Sequence, residues 1–126
     1  MKLWIALALL LLQTACAPVH SPKGLVGTWR AESPCGTGLL ELHADSTYTQ
    51  RVLKSNDNVD THIGRWRIEP PEARLAGATA VLDGPVHLCL FGKQKTRDEL
   101  SLDVEWEWGR TVLLWNPDEP GYEKMR

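Results

Sequence analysis

The sequence is poor in the features that point to helices, nucleic acid or a membrane span. Helical periodicity is almost absent. Aromatic content rests on tryptophan, with six Trp against two Tyr and one Phe in 126 residues. The formal charge of −2 leaves no basic excess to recommend a nucleic-acid partner. The one long apolar run, residues 3–12, is too short to cross a bilayer as a stable helix. No tract is of low complexity, and 43% of residues are hydrophobic, so a folded domain is expected. The length suits one domain.

What is present begins with a leader. Met1-Lys2 gives a short basic start, the apolar run follows, and Gln13-Thr14-Ala15-Cys16 ends it. Small residues before a cysteine, directly after an apolar run, resemble a bacterial lipobox. Thr14 and Ala15 fit that pattern; Gln13 stands where Leu is usual. The resemblance implies cleavage before Cys16 and a diacylglycerol on its thiol. An ordinary secretory cut after Ala17 is the alternative, with Pro18 next to the cut disfavouring it. The expected division is a signal peptide over residues 1–15, a polar tether over 16–24 and a single β domain over 25–126. Ala17 follows the cysteine with no Asp to signal inner-membrane retention, so the family's rules imply the periplasmic face of an outer membrane. With Cys16 lipidated, Cys35 and Cys89 remain as a pair in an oxidising compartment, and a disulfide between them is expected. The rival reading makes Cys35, in a turn-rich stretch, a reactive thiol.

Within the domain, Leu25-Val26-Gly27-Thr28-Trp29-Arg30 returns as His62-Ile63-Gly64-Arg65-Trp66-Arg67. In each copy the Gly lets a strand start, bend or approach another backbone. The Trp two positions on shares its face and can close one end of a small core. Gly27, Trp29, Gly64 and Trp66 are therefore expected as twin anchors. Period-two patterning and turn residues predict strands over 24–32, 39–43, 47–53, 61–68, 78–82, 86–91, 100–108 and 111–115. The clearest alternation puts Leu100, Leu102, Val104, Trp106 and Trp108 on one face, with Ser101, Asp103, Glu105 and Glu107 on the other. Trp106 is thus an expected core residue. Residues 72–76 read as one helical turn, and the tail after Asp118 as polar. The sum is an all-β domain, an antiparallel meander of about eight strands closed as a small barrel or flattened sandwich.

Gly27-x-Trp29 on a first strand resembles the opening motif of lipocalin-like barrels. That resemblance implies a Trp closing the barrel base, a late-strand Arg near it, with Arg110 as the counterpart here, and a small apolar ligand in the mouth. The later lipocalin motifs are absent.

Other constellations carry less. His43, His62 and His87 fall on three strands without the close spacing of dedicated metal sites, so no metal is expected. Asp103, Glu105 and Glu107 read as a solvated sheet face rather than an acid–base pair. Lys93, Lys95 and Arg97 could touch anionic headgroups or a partner. No Ser has a His–carboxylate pattern around it, so no catalytic residue, cofactor or enzyme activity is expected. Two readings follow. One is an envelope lipoprotein that binds a small apolar molecule or lipid. The other is an interaction or inhibitor lipoprotein with a filled barrel, acting on an envelope protein. Cys16→Ser is expected to leave an unprocessed precursor that takes up no labelled acyl chain, read by gel shift and autoradiography; normal cutting and release would remove the anchor.

Overall fold

A computed structural model describes residues 22–69, 78–107, 109–116 and 121–125. Cys16 and the leader, most of the tether, the helical turn expected over 72–76 and Trp108 lie outside the described residues. The alternating segments form eight strands. They are β1 (Gly27–Ser33), β2 (Gly36–Leu42), β3 (Thr47–Leu53), β4 (Val59–Glu69), β5 (Thr79–Leu90), β6 (Lys93–Glu107), β7 (Arg110–Leu114) and β8 (Tyr122–Lys124). Each pairs antiparallel with the next, and β8 returns to β1 through Trp29↔Lys124 and Arg30↔Glu123. The result is a closed eight-stranded meander barrel in which the first strand pairs with the last and neither is left as an edge.

Eight strands are present, but the expected assignment changes in three places. The segments expected at 78–82 and 86–91 are one strand, β5, which carries a bulge between Asp83 and Val86. Pro85 has no N–H to give a ladder, and the bulge is where that lack is tolerated. The eighth strand is instead β8, in the tail read as polar. Its Tyr122 is buried and turns a polar segment into a closing strand. Likewise Lys93 to Arg97, which fell between the strands expected over 86–91 and 100–108, is the start of β6. Charged residues on most of its positions hid the alternation.

The interior is built from one face of each strand. Trp29, Leu40, Leu42, Tyr48, Leu82, Leu102 and Leu113 are fully buried there. Burying a side chain of this size contributes about 1.5–3 kcal/mol. The two copies of the repeat meet one end of the barrel, here called the tryptophan end. Trp29 Nε1 donates to the Leu25 carbonyl at 2.9 Å, and Trp66 Nε1 donates to the His43 carbonyl at 2.9 Å. Each indole thus buries its ring without leaving its N–H unpaired. The outward Arg30 and Arg67 pair with Glu32 and Glu69, two residues on. The repeat is therefore Gly-x-Trp-Arg-x-Glu, two residues longer than the sequence reading took it.

The two glycines do different jobs. Gly27 has φ +141°, with the Lys124 stem over it. Gly64 lies under the Tyr48 ring, where a Cβ would come within 2.5 Å of the ring and 2.6 Å of the Asp83 carbonyl. Arg110 is not the residue near Trp29: it pairs with Glu123 at 3.2 Å. Lys124 takes that place, its Nζ 5.9 Å from the Trp29 ring and donating to the Gly24 carbonyl at 2.8 Å.

Trp106 is a correction. It has the parity of Leu102 and Val104 but is 66% exposed. It pairs with Thr111 one rung from the end of the β6–β7 ladder, at the rim of the tryptophan end, where no core remains to cover it. Trp29→Ala and Trp66→Ala are each expected to cost about 3–5 kcal/mol, as large core truncations do. Trp106→Ala should stay within about 1 kcal/mol. Urea-unfolding midpoints measure all three.

Candidate functional site

The opposite end of the barrel carries the β1–β2, β3–β4 and β5–β6 turns. Its construction starts at Tyr48. The ring covers Gly64, and its hydroxyl donates to the Pro85 carbonyl at 2.9 Å, with Gly84 (φ +139°) directly beneath. Burial, helped by the charge of Asp83, pushes the Tyr48 phenol up to about 12, so it stays a neutral donor. This contact holds the bulge. Beyond it, β5 and β4 part company: their ladder runs only from Arg65↔Asp83 to Glu69↔Thr79. The distal half of the β5–β6 hairpin is therefore held to the rest of the barrel by other means.

Three ties hold it. The first is Gln50, 1% exposed, whose amide reaches across from β3. Its Oε1 accepts from the His87 N–H at 2.7 Å, and its Nε2 donates to the His87 carbonyl at 2.9 Å and to the Tyr122 hydroxyl at 3.0 Å. A side-chain amide thus does for β5 what a neighbouring strand's peptide would do. Leaving those buried groups unpaired would cost about 1–3 kcal/mol each. The second tie is the Cys35–Cys89 disulfide, with Cα atoms 5.7 Å apart. It joins the β1–β2 turn to β5, four strands away round the barrel, and so bars the mouth. Closing a loop of 54 residues stabilises by roughly 4 kcal/mol on the chain-entropy account. Cys35 is accordingly not a free thiol. The third tie is His62 against His87, edge to face with centroids 4.0 Å apart.

Polar groups ring this mouth. Lys54 Nζ donates to Asp60 at 2.7 Å, which holds the Asp60 carboxyl below its usual range. His87 Nε2 is 3.7 Å from Asp60, and its Nδ1 is 3.3 Å from the Thr96 hydroxyl. The order Asp60–His87–Thr96 has the roles of a nucleophile chain. The arrangement does not activate the hydroxyl: 3.7 Å is outside hydrogen-bond range, and Lys54 already compensates the carboxylate. His43 lies apart, at the end of β2, 3.1 Å from the Thr49 hydroxyl. Among the described residues no group of three or more His, Cys, Asp or Glu is placed to hold a metal ion. Asp103 and Glu105 sit on the exposed face of β6.

A cavity of about 40 Å³ lies under the disulfide, between Gln50, Val52, Leu88 and Tyr122. That is room for about three waters. A drug-sized ligand needs roughly 300 Å³ or more.

The β5–β6 turn projects beyond the ties. Phe91 and Gly92 have φ of +52° and +75°, the form of a two-residue type I′ turn. Phe91 is 87% exposed. A side chain with a Cβ in the left-handed region costs about 1–2 kcal/mol. Asn-Gly or Gly-Gly would fill this turn with less strain. Lys93, Lys95 and Arg97 follow at alternate positions of β6, all exposed.

Gln50, Tyr48 and Phe91 were not singled out by the sequence, whereas Tyr122, available to pack from a polar tail, is buried. For Phe91 a signal was available: an aromatic directly before Gly between two strands is an unusual turn residue. No protein-family model, curated protein or solved structure matches this chain.

Burial, with repulsion from His62, lowers the His87 imidazole below its ordinary 6.5, Asp60 opposing. A histidine with a depressed folded value binds its proton more weakly folded than unfolded. Its contribution to stability is complete above about pH 6.5 and is lost as the pH falls through its folded value. Wild-type melting temperature is therefore expected to drop between pH 7 and pH 5 more steeply than that of His87→Asn. Equal slopes would remove His87 as the cause.

Proposed function

We propose that this chain is a non-enzymatic domain of the bacterial envelope, exported and anchored through Cys16. In this reading it acts on a protein partner through its outer surface rather than by carrying an apolar ligand inside. The filled interior carries the choice. The ligand reading, implied by the lipocalin-like opening, needs a cavity several times the 40 Å³ present. The disulfide favours an oxidising compartment, where such bonds form and persist. The absence of an activated nucleophile in the Asp60–His87–Thr96 arrangement weighs against hydrolytic chemistry at the mouth.

The tied end is the better candidate for contact. It combines fixed geometry with exposed apolar groups: Leu53 and Val59 at the β3–β4 turn and Phe91 at the β5–β6 turn. Loops fixed by a rigid scaffold are where binding residues concentrate.

Titration of the folded protein with palmitate and with an environment-sensitive naphthalene dye tests this reading. No saturable binding is expected, because Trp29 and Trp66 are packed and the interior is filled. Stoichiometric, micromolar binding of either probe with the melting transition intact would return the domain to the ligand-carrying class.

A further inference from the structure

Phe91 combines two costs, exposure of a large apolar ring and a left-handed backbone, at the tip of the hairpin that the disulfide and Gln50 tie to the barrel. Neither cost helps the fold, since the ring covers no core. Outliers of this kind cluster at binding and switching sites. The charges beside it stand out as well. Arg30, Arg51, Lys54, Arg67 and Arg110 each hold a carboxylate. Among the described residues Lys93, Lys95 and Arg97 have no such ion pair, as Arg65 and Lys124 also do not, but only these three occupy successive same-face positions of one strand, β6, next to the tip. In a chain of net charge −2 this basic stripe is a local feature.

We propose that the β5–β6 turn is a recognition knob. Phe91 enters an apolar socket on a protein partner, and Lys93, Lys95 and Arg97 lie along a row of carboxylates beside that socket. The proposal rests on the surface-acting reading above and gives it a partner chemistry. The hairpin is preorganised: Cys89 fixes one strand two residues before Phe91, and Gln50 grips the backbone at His87. Little conformational freedom is then lost on binding, which is what makes a small knob effective. A protein suits the stripe better than a lipid surface. Same-face residues on a strand are about 7 Å apart, so the three cations span about 14 Å away from the tip. An inserting tip would set them at three depths, whereas headgroups offer one plane. A strip of carboxylates running beside a socket meets all three.

The test places the photo-crosslinker p-benzoylphenylalanine at position 91 of the full chain in its host, and separately at positions 63 and 106. Position 91 is expected to give one discrete protein adduct. Its attachment point should map to an apolar pocket flanked by Asp or Glu. The triple variant Lys93→Glu/Lys95→Glu/Arg97→Glu should lower the adduct yield by at least about fivefold at unchanged melting temperature, as loss of charge complementarity slows association. If that variant fails to fold, Lys93→Gln/Lys95→Gln/Arg97→Gln gives the same readout. A phospholipid adduct, no adduct from position 91, or a yield indifferent to the charge change overturns the knob. A protein adduct from 63 or 106 alone keeps the surface-acting reading and removes only the hairpin. No protein adduct from any position removes both.

Discussion

Tyr48 seated on two glycines is the contact the rest of this molecule depends on. The phenol needs Gly64 below its ring and Gly84 below its hydroxyl, and it bonds the Pro85 carbonyl. Together these fix the bulge that splits β5 into two halves. The first half pairs with β4 and belongs to the barrel wall. The second half leaves β4 and needs other partners, which Gln50, the disulfide and the His62–His87 contact supply. A Cβ at Gly64 would strike both the ring and the Asp83 carbonyl, so the wall and the hairpin share one steric condition. Gly64 thus looks like a copy of Gly27 in the repeat, yet it answers to a different neighbour.

The two ends of the barrel are stabilised by different physics. The tryptophan end is closed by two buried indoles whose N–H groups are matched to nearby backbone carbonyls. Area burial dominates there, and it tolerates small shifts. The mouth is closed by a covalent bond and by an amide that satisfies three polar groups at once. Those interactions are directional, and a half-satisfied version would be worse than an apolar one. They hold the projecting hairpin in one position where apolar packing alone would allow several.

The fold class was legible because alternation survives wherever one strand face is buried. Leu100, Leu102 and Val104 read correctly for that reason. Alternation reports face and not depth, so Trp106, with the same parity at the last rungs, carried no mark of its exposure. β8 was hidden because its strand character comes from Tyr122 reaching the core and from pairing with β1, about 95 residues earlier, rather than from its own composition. Gln50 was hidden for the same kind of reason. Its partners lie 37 and 72 residues away, so no local pattern distinguishes it from a surface glutamine on a strand. The two spare cysteines were legible from counting, but not where their bond would fall.

That location joins the filled interior to the exposed tip. A barrel that encloses a ligand needs a mouth that admits it, and here the Cys35–Cys89 bond crosses the mouth between strands on opposite sides. The polar groups beneath, on Gln50 and Tyr122, bond to each other beside the small cavity they line. Opening the mouth would break these bonds as well as exposing apolar wall. The same bond anchors β5 two residues before Phe91, so the device that shuts the barrel also stiffens what projects from it. This arrangement is what supports the proposal that the domain acts through its outer surface. The left-handed φ at Phe91 follows from the Leu90↔Lys93 register, which leaves a two-residue loop, and the tied mouth beneath holds that hairpin in place.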